Sequence, residues 1–312
     1  MNNTTSESFE IQVWNTFGPI RINETVGETQ FRMRIDTTPL PLPSDLQARV
    51  NENWVAVTAK SPNAKDNLVL YVTSPVVEEN GVIVIPTTAR TFRYTAAFNR
   101  NPTFHDDVAA LNQHRLLTIS THCHLVTRDG KLLFGTKVNQ FNQISGFAGF
   151  PNAAKEAVEI DGTTYLNTYG TVRGRLADEL KNLSPAVQSI DAVGIVYVGR
   201  KALRGTDVDY LVRLDETATE AQRIFRDSYK DAKQADQFSR DLFAVDFNPS
   251  AVSEFIEQVH REGKAMSPYA MGCAVAVANA YFGMEEAERV CTAVREKAGI
   301  TIATKNETEY FG

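Results

Sequence analysis

Residues 118–151 constrain this chain more than any other stretch: TISTHCHLVTRDGKLLFGTKVNQFNQISGFAGFP. A strand-like run leads into Arg128-Asp129-Gly130-Lys131, and a second apolar run, Leu132-Leu133-Phe134, leaves it. The Asp-Gly pair supplies the positive φ that a tight turn needs, so the spacing predicts a β-hairpin closed at that point. Beyond it, Ser145-Gly146-Phe147-Ala148-Gly149-Phe150-Pro151 reads as a loop whose two glycines let backbone pass close to a neighbour or a ligand. A short helix is expected over 172–183, carrying Arg175, Asp178 and Glu179. Chain that makes a hairpin and then a helix must cover one face of a sheet, and the rest of the sequence has to supply the remaining strands.

It does so on both sides. Before the hairpin, the alternation of Phe9-Glu10-Ile11-Gln12-Val13-Trp14 and Phe31-Arg32-Met33-Arg34-Ile35 has the strand period, and apolar runs at 68–72 and 81–85 read as buried strands. Phe92-Arg93-Tyr94 is expected to prolong that pattern, while 45–53 reads as one or two helical turns. Residues 1–109 are therefore a β-rich N-terminal extension, with a border near 99–110, and 110–312 a second unit. In the second unit, strands are expected at 190–198, 208–214 and 241–247, and a helix at 220–238. Asn248-Pro249 and Ser267-Pro268 each open a helix with Pro in its first turn, and Gly263 and Gly283 stand where helices end. Residues 284–298 form a third amphipathic helix. Strands feeding helices around a mixed sheet make the fold class α/β or α+β.

Composition narrows the function classes. A net charge of −6 with no basic run argues against a nucleic-acid partner. Three widely spaced cysteines, Cys123, Cys273 and Cys291, fit neither a disulfide framework nor a zinc-finger spacing and favour a reducing, cytoplasmic setting. The amino terminus lacks the basic start and apolar run of a signal peptide. Residues 265–284 carry no charge over 20 positions but are rich in Ala and Gly, which predicts a buried core helix rather than a membrane span.

The hairpin, the glycine loop and the Arg/Glu helix, in that order, resemble a Nudix domain. That family's signature runs Gly, five residues, Glu, seven residues, Arg-Glu-apolar-x-Glu-Glu-x-Gly-apolar. Arg175, Ala177, Glu179 and Leu183 match it; Leu176, Leu180, Asn182 and Asn167 stand where the family has Glu, Glu, Gly and Glu. The family's first Gly falls on Asp161, one place before Gly162. Its chemistry uses carboxylates one helical turn apart to hold Mg²⁺ on a diphosphate and activate water. Asn53-Trp54, Ser61-Pro62-Asn63, Thr91-Phe92-Arg93-Tyr94 and Asn101-Pro102 are similar to the N-terminal extension of Nudix proteins that split UDP-glucose and UDP-galactose. Residues 267–274 resemble their last core helix, with Met271 in place of a Lys.

The resemblance implies a Nudix-like α/β/α sandwich with a mixed sheet, the β-rich extension packed on it, and a nucleotide or nucleotide-sugar ligand. On that basis Glu179 and Arg175 are the catalytic candidates, Glu179 and Asp178 the ligands for Mg²⁺ or Mn²⁺, and Gly146, Phe147, Gly149 and Phe150 the substrate loop. Because one family carboxylate of four survives, two readings stay open: a diphosphate hydrolase, and an inactive nucleotide-sensing or protein-interaction module, self-association included. Asp178 points about 100° away from Glu179, and Glu156, Glu159, Asp161, Asp207, Asp209, Asp227, Asp231 and Asp241 are the acids that could substitute for the missing ones. Arg175 and Glu179, four apart, read equally well as an ion pair on a helix surface. His122-Cys123-His124 puts both imidazoles on one face of a strand, a metal-compatible arrangement with no third ligand nearby in sequence.

Overall fold

The structure, a computed structural model, describes residues 10–14, 18–36, 43–62, 64–74, 76–100, 117–137, 143–200, 203–228, 238–298 and 300–305. Alternation near the start produces strands β1 (Glu10–Trp14), β2 (Ile20–Ile22) and β3 (Phe31–Asp36), with Phe31, Met33 and Ile35 turned inward. Helix α1 (Ser44–Lys60) is longer than the turns expected at 45–53. Strands β4 (Leu68–Val72), β5 (Val77–Glu79) and β6 (Val82–Thr91) lead into α2 (Phe92–Arg100). The expected strand extension at Phe92-Arg93-Tyr94 is thus the first turn of a helix. Asp66 is the reason: its carboxylate accepts the Arg93 backbone N–H at 2.8 Å and the Arg93 Nε–H at 2.5 Å, satisfying a donor that a helix start leaves open. Leu46 and Val50 of α1 then close over Tyr71, Tyr94 and Ala97.

Strands β7 (Leu117–Val126) and β8 (Lys131–Lys137) form the expected hairpin, with Gly130 at φ +72° and its N–H donating to the Thr127 carbonyl at 2.9 Å. After β9 (Gln143–Ser145), the segment expected to be a loop contains a strand, β10 (Phe147–Gly149), paired antiparallel with β7 as Phe147↔Cys123 and Gly149↔Thr121. The short helix α3 (Ala153–Glu156) and strands β11 (Ala157–Ile160) and β12 (Thr163–Leu166) follow. Helix α4 (Thr168–Leu180) begins where the Asn167 side chain accepts the Gly170 N–H at 2.9 Å. It buries Thr168, Val172, Leu176 and Leu180 at a spacing of four and ends at Lys181, whose φ is +48°.

The last third runs β13 (Val187–Arg200), β14 (Leu203–Leu214), α5 (Ala218–Ser228), β15 (Phe238–Asp246), α6 (Pro249–Arg261), β16 (Ala265–Met266), α7 (Pro268–Phe282), α8 (Met284–Ala298) and β17 (Thr301–Lys305). The three helix starts and stops expected here are present, with Asn248 capping α6 and Gly263 and Gly283 at positive φ. Asn63, Asn101, Pro102, Asp231, the second half of the helix expected at 220–238 and most of the border at 99–110 lie outside the described residues.

One edge of β7 pairs in succession with β4, β10 and β8, and the other edge pairs in parallel with β14. Strand β14 pairs antiparallel with β13, and β1 lies between β13 and β17. The first strand is therefore hydrogen-bonded to the last third of the chain. A register shift in β13 between Ala192 and Gly194 changes which residues face which way: Ile190 and Ala192 precede it, Ile195 and Tyr197 follow it, and all four join one core. That core holds Leu176 of α4 and Phe225 of α5; a second core, on the opposite face, holds Ile256 of α6, Val275 of α7 and Val290 of α8. The protein is an α+β fold with a large mixed sheet and helices against both faces. Helix α7 is apolar on every side and buried from Ala270 to Ala278. No helix among the described residues is long and apolar enough to cross a membrane.

Candidate functional site

Helix α4 lies across β10, and a glycine sets how closely. A Cβ on Gly149 would come 2.5 Å from Cδ of Arg175 and 3.3 Å from its Nε, so the arginine stem rests where a side chain would otherwise stand. From this seat the Arg175 guanidinium reaches Glu156 at 3.3 Å and Asp178 at 3.5 Å, while its buried Nε has no hydrogen-bond partner among the described residues. Glu156 is shared: its Oε2 accepts the Thr171 hydroxyl at 2.7 Å and the Asn152 N–H at 2.8 Å.

Glu179 occupies the buried side of α4, 7% exposed, with Lys137 Nζ of β8 at 4.0 Å. At that separation two unit charges attract by about 1 kcal/mol in water and about 4 kcal/mol at an effective dielectric of 20, which offsets part of the cost of burying the carboxylate. Asp178, the other expected metal ligand, is 73% exposed. The two carboxylates named for one ion therefore stand in opposite environments, one under the helix and one in solvent. Nor do Arg175 and Glu179 behave as a simple surface pair, since each has its own partner across the fold.

The four glycine-segment residues divide in two. Phe147 is 1% exposed and packs into the α4-side core, so its ring is taken up by packing rather than offered to a base. Phe150 is 40% exposed, its ring edge-on to Phe92 at 5.9 Å, and Phe92 in turn meets Trp54 at 6.4 Å. An aromatic row from α1 through α2 thus ends beside β10. Gly146 is pressed against β7: a Cβ there would stand 2.7 Å from the Cys123 carbonyl oxygen and 2.7 Å from Cε1 of His122.

On the opposite face of β7, the side covered by α7, lies a group of buried polar residues that sequence spacing reached only in part. Alternation points His122 and His124 this way, the parallel register sets Asp209 of β14 beside His122, and α7 brings in Cys273. His122 Nδ1 is 3.9 Å from Asp209 Oδ1, and His124 Nε2 lies 3.1 Å from the Ala270 carbonyl oxygen. Burial lowers the His122 pKa, helped by the charges of His124 and Lys137, and lowers His124 to about 4 against the pull of the Ala270 and Leu133 carbonyls. Burial raises Asp209, reinforced by Asp207, and raises Asp207 to about 7 although the Ser120 hydroxyl donates to it. The Cys123 and Cys273 thiols are likewise pushed up, first by burial and then by nearby carboxylates. Without a cation, this pocket favours neutral side chains.

No protein-family profile matches the chain, and no curated protein sequence does. Among solved structures, the crystal structure of DR0079 from Deinococcus radiodurans aligns over 52% of this chain and 82% of that one, at 14% identity and a TM-score of 0.31, too low a likeness to argue from.

Proposed function

We propose that the protein binds a nucleoside diphosphate linked to a second group, with UDP-sugars the first candidates, along the edge formed by α4, β10 and α2. The observation that carries this reading is Arg175 seated on Gly149, the residue that precedes the exposed Phe150. A guanidinium held at Gly149 and an exposed aromatic at the next position are the groups that a phosphate joined to a base would use, since Arg forms bidentate contacts with phosphate oxygens and an aromatic face stacks on a planar ring. Supporting it is the order of elements: hairpin β7–β8, strand β10, then α4 with Arg175 and Glu179 in the register that resembles the Nudix signature. The fold this implies is the Nudix-like sandwich. The three cysteines are free and buried, in keeping with a cytoplasmic setting.

We read the site as one for binding rather than for Mg²⁺-dependent hydrolysis, because Glu179 lies beside a lysine and Asp178 stands out in solvent. The experiment is a thermal-shift titration with UDP-glucose, UDP-galactose and UDP, each with and without Mg²⁺, alongside an assay for UMP release. At a ligand concentration 100 times Kd, binding stabilises the folded state by about 2.7 kcal/mol. The expected outcome is a rise in Tm that Arg175→Leu loses, with no UMP released. No shift with any nucleotide removes the reading. UMP release that requires Mg²⁺ or Mn²⁺ and disappears in Glu179→Gln replaces it with hydrolysis at α4.

A further inference from the structure

The polar side chains left without partners gather under α7, not at α4. Among the described residues, His122 Nδ1 and Nε2 and His124 Nδ1 are buried with no hydrogen-bond partner, and the buried Asp209 carboxylate has only the Cys273 thiol to donate to it. The residues carrying them are 1%, 0% and 0% exposed, and Cys273 beside them is 0% exposed. Buried polar atoms are almost always paired, and so many orphans facing one another mark a place where something else is bound. One ring nitrogen of each histidine and the Cys273 Sγ all lie within 4.8 Å of one another.

We propose that His122, His124 and Cys273 bind a transition-metal ion of the zinc class, with Asp209 as the carboxylate behind His122. Four features of the pocket fit this assignment. Zinc holds imidazole nitrogen at about 2.0–2.1 Å and thiolate sulfur at about 2.3 Å, which sets its ligand atoms roughly 3.3–3.7 Å apart. From a separation of up to 4.8 Å the ligand atoms close by up to about 1.1–1.5 Å to reach that spacing. His124 Nε2 lies 3.1 Å from the Ala270 carbonyl, and the tautomer that donates there carries its lone pair on Nδ1. His122 Nδ1, 3.9 Å from Asp209, is placed for the carboxylate–histidine pairing that orients a ligand and leaves the other ring nitrogen for the ion. A dication, one thiolate and one carboxylate sum to zero, so the loaded pocket carries no net charge into a site closed to water. Two imidazoles and a sulfur are donors for zinc, cobalt or copper, not for Mg²⁺, and the site is on the other face of the sheet from Glu179. It is therefore independent of the nucleotide reading. Because α7 closes over the pocket, the ion enters as the chain folds and holds α7 onto β7.

The test uses the full chain, refolded or expressed with Zn²⁺, or with Co²⁺ as a spectroscopic probe, then desalted and assayed for metal. Expected is about one ion per chain and, with Co²⁺, thiolate-to-metal charge-transfer absorption; His122→Ala and Cys273→Ser lose both, and Cys123→Ala, whose side chain faces α4, keeps both. Asp209→Asn still binds, with affinity lower by about 10–100-fold, the usual effect of removing an orienting carboxylate. In case the ligand variants do not fold, wild-type protein is also unfolded in denaturant with a chromogenic chelator present, and one equivalent of metal should appear only as the protein unfolds. The proposal is overturned if wild-type protein retains no metal and releases none on unfolding. Metal that persists in folded Cys273→Ser protein overturns it as well.

Discussion

Gly272→Ala sets two effects of known scale against each other in the helix that carries Cys273. In a helix interior, alanine is favoured over glycine by about 0.8–1.0 kcal/mol, so propensity alone makes the variant more stable. The contact says otherwise. A Cβ on Gly272 would overlap Val196 Cγ1 outright and come within 3.2 Å of both Val196 Cγ2 and Ile11 Cγ2, where carbons prefer about 3.5–4.0 Å. Val196 and Ile11 are both fully buried, and the β-branched Val196 side chain is stiff about χ1, so any rotation moves a methyl against close-packed neighbours. Relief must come from moving α7 off β13 by roughly 1 Å, against the hydrogen bond from the Tyr281 hydroxyl to Asp191 at 2.6 Å. Overpacking of this kind costs about 1–3 kcal/mol, and two stiff walls place this case in the upper half, at about 2–3 kcal/mol. Subtracting the propensity gain leaves a net loss of about 1–2 kcal/mol. Urea unfolding followed by tryptophan fluorescence and far-UV circular dichroism should show a lower midpoint with an unchanged slope. In the Val196→Ala background the same substitution should cost less, by about 1 kcal/mol or more, because the colliding methyl is gone. Gly272→Ala as stable as wild type, or equally costly in both backgrounds, would refute the packing argument.

Gly149→Ala should displace the Arg175 stem and its 3.3 Å contact to Glu156; we expect a loss of about 1–2 kcal/mol in stability by urea unfolding, and weakened nucleotide-induced stabilisation by thermal shift. Asp129→Ala should cost about 0.5 kcal/mol at neutral pH, the lower end for a capping group because the carboxylate is exposed, since Asp129 accepts the Ala218 N–H at 2.9 Å at the start of α5. The Thr127 hydroxyl and the Ala218 N–H hold the Asp129 pKa below its ordinary value, so its contribution is present above that value and lost as pH falls through the folded-state pKa. The gap in melting temperature between wild type and Asp129→Ala should accordingly narrow on acidification below about pH 4.

Local signals in the sequence settled much of the C-terminal third. Asn248-Pro249, Ser267-Pro268, Gly263 and Gly283 each act within a turn of their own position, and the helices begin and end beside them. The errors arise where distant residues intervene. Phe92 begins a helix because Asp66, far back in the chain, supplies a cap, and Phe147-Ala148-Gly149 becomes a strand because β7 has an open edge there. In the candidate sites the division is the same. That His122 and His124 share a face follows from the strand period, but Cys273 and Asp209 join them only through the parallel pairing of β7 with β14 and the way α7 lies across it. Arg175 and Glu179 fall on α4 as their spacing required, yet their partners Glu156 and Lys137 come from other elements.

Strand β7 belongs to both proposals and also keeps them apart. Its period of two sends Cys123 toward α4, and His122 and His124 toward α7, so the two faces touch through the backbone between them and feel each other's charges, as Lys137 beside Glu179 does at His122. Gly146 is where that separation is thinnest, because it touches both the Cys123 carbonyl and the His122 ring. A metal under α7 would fix the His122 ring and, through that contact, the approach of the Gly146–Gly149 segment on which Arg175 is seated. The sulfur-and-imidazole pocket then has a structural consequence for the opposite face without taking part in any chemistry there.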